Sequence, residues 1–216
     1  MTNVKFYRTV PLPPNLSNVE IKKALDSTES FFDTLVTNNI NLAGMVQRNT
    51  FSGVVSNVLA RKFTENTEYK EFSDQRYPDL KDKTTHTGLD IKMTTTRLKG
   101  GEGHNGHSGW HIVTTYQIHK DGRIRFIWAG IAELVGFEFG IAKSDWVCQH
   151  SQRNANNSQR TETYVTTKIG TAKIRDGSLY LDPTNVIITP RLQKNREKIS
   201  ELPIPPFSPF YKTLSV

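Results

Sequence analysis

Tyr77-Pro78-Asp79, then ten residues, then Asp90-Ile91-Lys92: the stretch YPDLKDKTTHTGLDIKM, from Tyr77 to Met93, carries the pattern that decides the fold. Leu89 to Met93 alternates, so Leu89, Ile91 and Met93 leave one face of a strand and Asp90 and Lys92 the other. Proline fixes the approach to Asp79, which belongs at the start of a strand or in a bend. If the residues between the two motifs form a hairpin, Asp79 comes to lie beside Asp90. Two carboxylates and one ammonium group then converge.

Outward from this strand, the periodicity separates helices from sheet. Ser17-Asn18-Val19-Glu20 has the form of a capping box, and Ile21, Leu25, Phe32, Leu35 and Val36 follow at near-helical spacing, which predicts a helix over 18–37. Phe51, Val54, Val55, Val58, Leu59 and Phe63 form the stripe of a second helix, a core or dimer surface. After residue 77 the pattern is β-rich. His111–His119 and Arg123–Ala132 flank the hairpin signal Lys120-Asp121-Gly122. Thr163–Ile174 and Ser178–Leu181 repeat the device around Asp176-Gly177, and Lys194–Glu201 suits a short helix. Helices first and strands after suggest α+β or mixed α/β; the expectation is mixed α/β, a central mixed sheet flanked by helices. Met1–Pro14 reads as an extended arm, and the Pro-rich tail 203–216 as an extended strap.

Composition limits the class. A chain of 216 residues suits a single domain, 1–216. The longest apolar run, Phe126–Phe137, is broken by Glu133 and falls far short of a membrane span, and no basic-then-apolar leader opens the sequence. One cysteine, Cys148, excludes an internal disulfide framework. A cytoplasmic protein with no membrane partner is expected. The net charge is +7, and residues 91–125 and 146–175 each carry +4. Concentrated basic segments are the electrostatic footprint expected for a phosphate backbone, although a solubilising surface excess gives the same net charge.

Carboxylates at Asp79 and Asp90 with an ammonium at Lys92 suit metal-assisted phosphodiester hydrolysis. Two hard oxygen ligands can hold Mg²⁺, with water and substrate phosphate filling the other octahedral positions. The lysine stabilises developing charge and orients or deprotonates the attacking water.

Pro-Asp followed by Asp-x-Lys resembles the PD-(D/E)xK nuclease superfamily, in particular type II restriction endonucleases of the EcoRV and PvuII kind. Asp90-Ile91-Lys92 with Thr94-Thr95 resembles the core strand of that group, and Asp74-Gln75-Arg76-Tyr77-Pro78-Asp79 its minor-groove loop. The likeness covers roughly residues 45–165 as an order of elements, with only the short motifs matching letter by letter. It implies a restriction-endonuclease-like core and a homodimer on palindromic double-stranded DNA, with Asp79, Asp90 and Lys92 catalytic, Asp79 and Asp90 on Mg²⁺, and blunt ends. The sequence departs from the group in one respect. The helix Phe51–Phe63 carries no Glu, and Glu65 and Glu68 lie just beyond it, so a third acidic ligand is not assigned.

Two further segments have the residue types that read bases. Arg153, Asn154, Asn156, Asn157, Ser158, Gln159 and Arg160 belong to a polar run between two strand-like segments; Arg pairs with guanine, Asn and Gln with adenine. His104, Asn105, His107 and Ser108 form the second candidate, and Gln75 and Arg76, with Met45 as a wedge, suit the minor groove, although the core or a dimer contact is the preferred place for Met45. A zinc site on His104, His107 and His111, completed by His150 or Cys148, competes; structural zinc prefers Cys in tight turns. A structure-specific nuclease would share the triad and lack the base-reading loop. A non-catalytic DNA-binding protein would share only the basic segments.

Overall fold

The computed structural model describes residues 9–72, 77–103, 106–137, 143–149 and 163–212. Of the predicted base-reading residues, Gln75, Arg76, His104, Asn105, Arg153, Asn154, Asn156, Asn157, Ser158, Gln159 and Arg160 lie outside the described residues.

Three helices come first: α1 (Asn18–Thr37), the short α2 (Leu42–Met45) and α3 (Arg48–Asn66). The predicted capping box starts α1. Glu20 N–H donates to Ser17 Oγ at 3.3 Å and Ser17 N–H to Glu20 Oε2 at 2.8 Å, so each satisfies an orphan backbone donor. Phe51, Val55, Leu59 and Phe63 on α3 are fully buried, one residue in four, and Phe51 meets Phe32 of α1 edge-on at 5.5 Å.

The strands follow as β1 (Tyr69–Glu71), β2 (Leu80–Asp82), β3 (Gly88–Thr94), β4 (Glu102–Gly103), β5 (Gly109–Ile118), β6 (Ile124–Leu134), β7 (Trp146–Gln149) and β8 (Thr163–Thr166); then come α4 (Lys168–Asp176), β9 (Ser178–Leu181) and α5 (Pro190–Glu197). The central sheet has six strands in the order β1-β2-β3-β5-β6-β9, and its strands pair antiparallel except β3 with β5. This is the expected mixed α/β fold with helices against a mixed sheet. A second, antiparallel sheet runs β4-β8-β7.

The central sheet has an apolar cluster on each face. Leu89, Ile91, Ile112 and Phe126 pack with α1 and α3. Val113, Ile127 and Trp128 pack with Ile174 of α4 and Trp146 of β7. Among the described residues no helix is long and apolar enough to cross a membrane.

Four expectations need correction. Thr163–Ile174 is not one strand: β8 ends at Thr166, Thr167 accepts from Gly170 N–H at 3.1 Å, and α4 begins. Gly170, Ala172, Ile174 and Asp176 are its buried residues, an every-second-residue pattern that imitates a strand. The last helix starts at Pro190 rather than Lys194, because Thr189 caps it and proline suits a first helical turn. The tail packs, but through turns: Ser208 N–H donates to Pro205 O at 2.9 Å and Tyr211 N–H to Ser208 O at 3.0 Å, and Phe210 is buried. Met45 is 72% exposed and belongs to no core.

One buried acid ties α1 to the sheet. Glu29 accepts from Phe126 N–H at 2.8 Å, with Arg125 Nε 3.9 Å away. Burial pushes its pKa up to about 7. The unfolded chain ionises this group near 4.5, so between those values the folded state holds the extra proton, and stability falls as pH rises. Glu29→Gln keeps an acceptor for Phe126 and is expected to remove a penalty on the order of 2 kcal/mol at pH 8 and little at pH 5. Thermal melts of both proteins at the two pH values measure this; an equal difference at both would show that Glu29 does not titrate in that window.

Candidate active site

The hairpin predicted between Asp79 and Asp90 forms, with β2 pairing antiparallel to β3 through Leu80–Leu89 and Lys81–Gly88. Pro78 lies directly over Gly88: a Cβ at Gly88 would stand 2.7 Å from Pro78 Cγ, so a side chain there would displace the proline. Beyond Leu89 the two strands no longer pair, and Asp79 fills the gap. Its Oδ2 accepts from Ile91 N–H at 2.7 Å, taking the place of a neighbouring strand's carbonyl.

Asp90 and Lys92 leave β3 on the same face, as their spacing requires, and Lys92 Nζ is 2.7 Å from Asp90 Oδ2. Asp79 lies within hydrogen-bonding reach of Asp90. Burial and then the Asp90 charge push the Asp79 carboxyl up to about 6, against the opposing pull of Ile91 N–H and Lys92. Asp79, Asp90 and Lys92 therefore stand together at the end of the β2–β3 hairpin.

The register adds His111. It pairs with Asp90 across the parallel β3–β5 ladder, is 1% exposed, and has Nε2 at 3.6 Å from Asp90 Oδ2. Burial lowers its pKa to about 4, so the imidazole is neutral near pH 7. Nδ1 lies 2.9 Å from Gly109 O, and a carbonyl can only accept; Nδ1 therefore carries the proton and the Nε2 lone pair faces Asp90. The sequence places His111 in a His-rich stretch, but only the sheet register brings it to the carboxylates.

Aromatic rings wall the site. His107 stacks on Tyr77 with centroids 4.1 Å apart, and His111 meets Trp146 at 5.1 Å. The Tyr77 hydroxyl donates to Ser108 O. Burial, with the charges of Asp90 and Asp79, pushes that phenol up to about 12. Ser108 Oγ accepts from Gly136 N–H at 2.7 Å. Trp146 Nε1 donates to His107 O at 3.1 Å, so the segment before β5 is held on both sides.

Other acids are engaged elsewhere. Glu65 pairs with Lys62 at 2.7 Å. Asp82 accepts from Thr84 N–H, Thr85 N–H and Oγ1, and Asn15 Nδ2, and these bonds hold its pKa down and fix the hairpin turn. Among the described residues no group of three His, Cys, Asp or Glu could hold a metal ion; the zinc reading draws on His104 and His150, which lie outside the described residues. The donor set at the site is thus two hard carboxylates in electrostatic conflict. That set fits Mg²⁺, which is commonly bound through one or two carboxylates plus waters and substrate phosphate.

No protein-family model matches the chain, and no curated protein matches it.

Gly88→Ala tests how Asp79 is held. The added methyl is expected to shift Pro78, cost about 1–3 kcal/mol of stability, and lower any Asp79-dependent activity at least tenfold. Calorimetric Mg²⁺ titration of the folded variant checks it; wild-type affinity and activity would mean that Gly88 has no part in placing the carboxylate.

Proposed function

We propose that the protein is a Mg²⁺-dependent endonuclease that hydrolyses phosphodiester bonds in double-stranded DNA at a specific palindromic sequence, a type II restriction enzyme acting as a homodimer and leaving blunt ends. The observation that carries the reading is the meeting of Asp79, Asp90 and Lys92 at one end of the β2–β3 hairpin. Asp79 and Asp90 would hold the Mg²⁺. The ion, when bound, supplies Lewis-acid polarisation of a phosphate oxygen and a more acidic water.

The chain's own groups do the rest. Lys92 places a positive charge beside the carboxylates, where it can stabilise charge developing on the phosphate and orient the attacking water. The Asp79 bond to Ile91 N–H fixes that carboxylate before substrate arrives. His111 sets a lone pair behind Asp90. The basic segment 91–125 begins at this site, which agrees with a polyanionic substrate. A two-fold enzyme with one such site per subunit can cut both strands of a palindrome.

Incubation of the purified chain with plasmid DNA and Mg²⁺ tests the reading. Discrete fragments support it, a smear or nicked circles point to a structure-specific nuclease, and intact plasmid with a gel shift points to a DNA-binding protein without catalysis.

A further inference from the structure

The turn that leaves the C-terminal end of β3 docks on α4 at a point with no room for a side chain: a Cβ on Gly100 would collide with the hydroxyls of Thr166 and Thr171. Those two hydroxyls are 2.8 Å apart. Beside them opens a cavity of about 570 Å³ between α4 and α5. Lys168, Thr171 and Arg175 line it from α4, at spacings of three and four that put them on one helix face. Asn195 and Lys198 line it from the end of α5, and no carboxylate is among the lining residues.

The charges around this cavity do not balance. Arg196, in the wall, is neutralised by Asp176 at 2.6 Å, and Lys173, elsewhere on α4, by Asp145 at 2.7 Å. Arg175 instead donates Nε to Leu98 O at 2.7 Å, and burial lowers its pKa with no carboxylate to offset it. Among the described residues Lys168 and Lys198 make no ion pair. A half-buried guanidinium, two ammonium groups and threonine hydroxyls around a cavity call for an anion with several acceptor oxygens.

The cleft also faces the same way as the catalytic groups. His111 stands beside Asp90 in register, and Val113, two residues on and so on the same face of β5, packs with Ile174 of α4. Asp90, Lys92 and α4 therefore share one side of the sheet, joined by the turn at 95–101.

We propose that the α4–α5 cleft is a phosphate-binding site and that it grips a backbone phosphate of the DNA cut at Asp79, Asp90 and Lys92; the second half of the statement rests on the function proposed above. Inorganic phosphate is the first probe, followed by ³¹P linewidth on the full chain. Wild type is expected to broaden the signal and Lys168→Ala/Lys198→Ala to lose the broadening. Lys23→Ala/Arg61→Ala, an equal loss of charge on α1 and α3 behind the sheet, is expected to keep it. Both cleft lysines are exposed, so the variant retains its packing, which circular dichroism checks. The second measurement is the affinity for a duplex without metal across a salt series. The cleft variant should lower the slope of log affinity against log salt by about one, equally for any sequence. Equal broadening in both variants would overturn the site. Lost broadening with an unchanged salt slope would confine the cleft to free phosphate and overturn the DNA half. Lost broadening in a chain that binds no duplex at all would sink the nuclease reading and leave the phosphate site standing.

Discussion

Lys92→Ala is expected to lower the rate of DNA cleavage at least a hundredfold while leaving duplex affinity nearly unchanged. The ammonium group stands 2.7 Å from Asp90 Oδ2, on the face where both carboxylates meet. Its proposed role is to stabilise charge that exists fully only as the phosphate reacts, and one such group is commonly worth about 10²–10³ in rate. Binding draws on many phosphate contacts, so the loss of one cation should be small there. Single-turnover cleavage and gel shifts on the same preparation separate the two effects. Cleavage at the wild-type rate would remove Lys92 from the mechanism.

Asp79→Asn and Asp90→Asn are each expected to abolish Mg²⁺-dependent cleavage, for reasons that differ in the structure. An amide oxygen at 79 can still accept from Ile91 N–H, so the hairpin should keep its shape while the site loses a charged ligand. At 90 the change removes a ligand and also leaves Lys92 without its partner. Mg²⁺ titration by calorimetry should show weakened binding in both. In the wild type the same titration should tighten as pH rises through about 6, because Asp79 holds a proton up to that value and the ion must displace it. Loss of activity in only one of the two variants would break the pairing.

Much of this site was legible because it is local. Leu89–Met93 states its own alternation, and Pro78 and Gly88 shape a hairpin short enough to bring Asp79 to Asp90. The capping box at Ser17 marked the start of α1 for the same reason. What the sequence concealed depends on distant partners. The sheet β4-β8-β7 joins two residues near 102 to strands some 45–65 positions later, and nothing in Glu102-Gly103 announces a strand. α4 hides behind an alternating burial pattern in a short element, where a period of 3.6 has little length in which to show itself. His111 reaches Asp90 through β3–β5 pairing, which no spacing along the chain encodes. The α4–α5 cavity likewise needs two helices to meet before its cations share a wall.

The parallel pairing of β3 with β5 has a consequence for how such a protein could change. Antiparallel neighbours can be joined by two residues, but parallel ones need a return path of a dozen or more. Here that path is the fourteen residues 95–108, which make no helix among the described residues and include the base-reading candidates His104, Asn105, His107 and Ser108. Its length is close to the minimum, so deletions within it should undo the sheet. Lengthening is tolerated far better, since doubling a loop costs only about 0.6 kcal/mol in closure entropy. Variation should therefore run one way: the segment between Lys92 and His111 can gain residues and hardly ever lose them, and under the proposed function new base contacts would arise there by insertion.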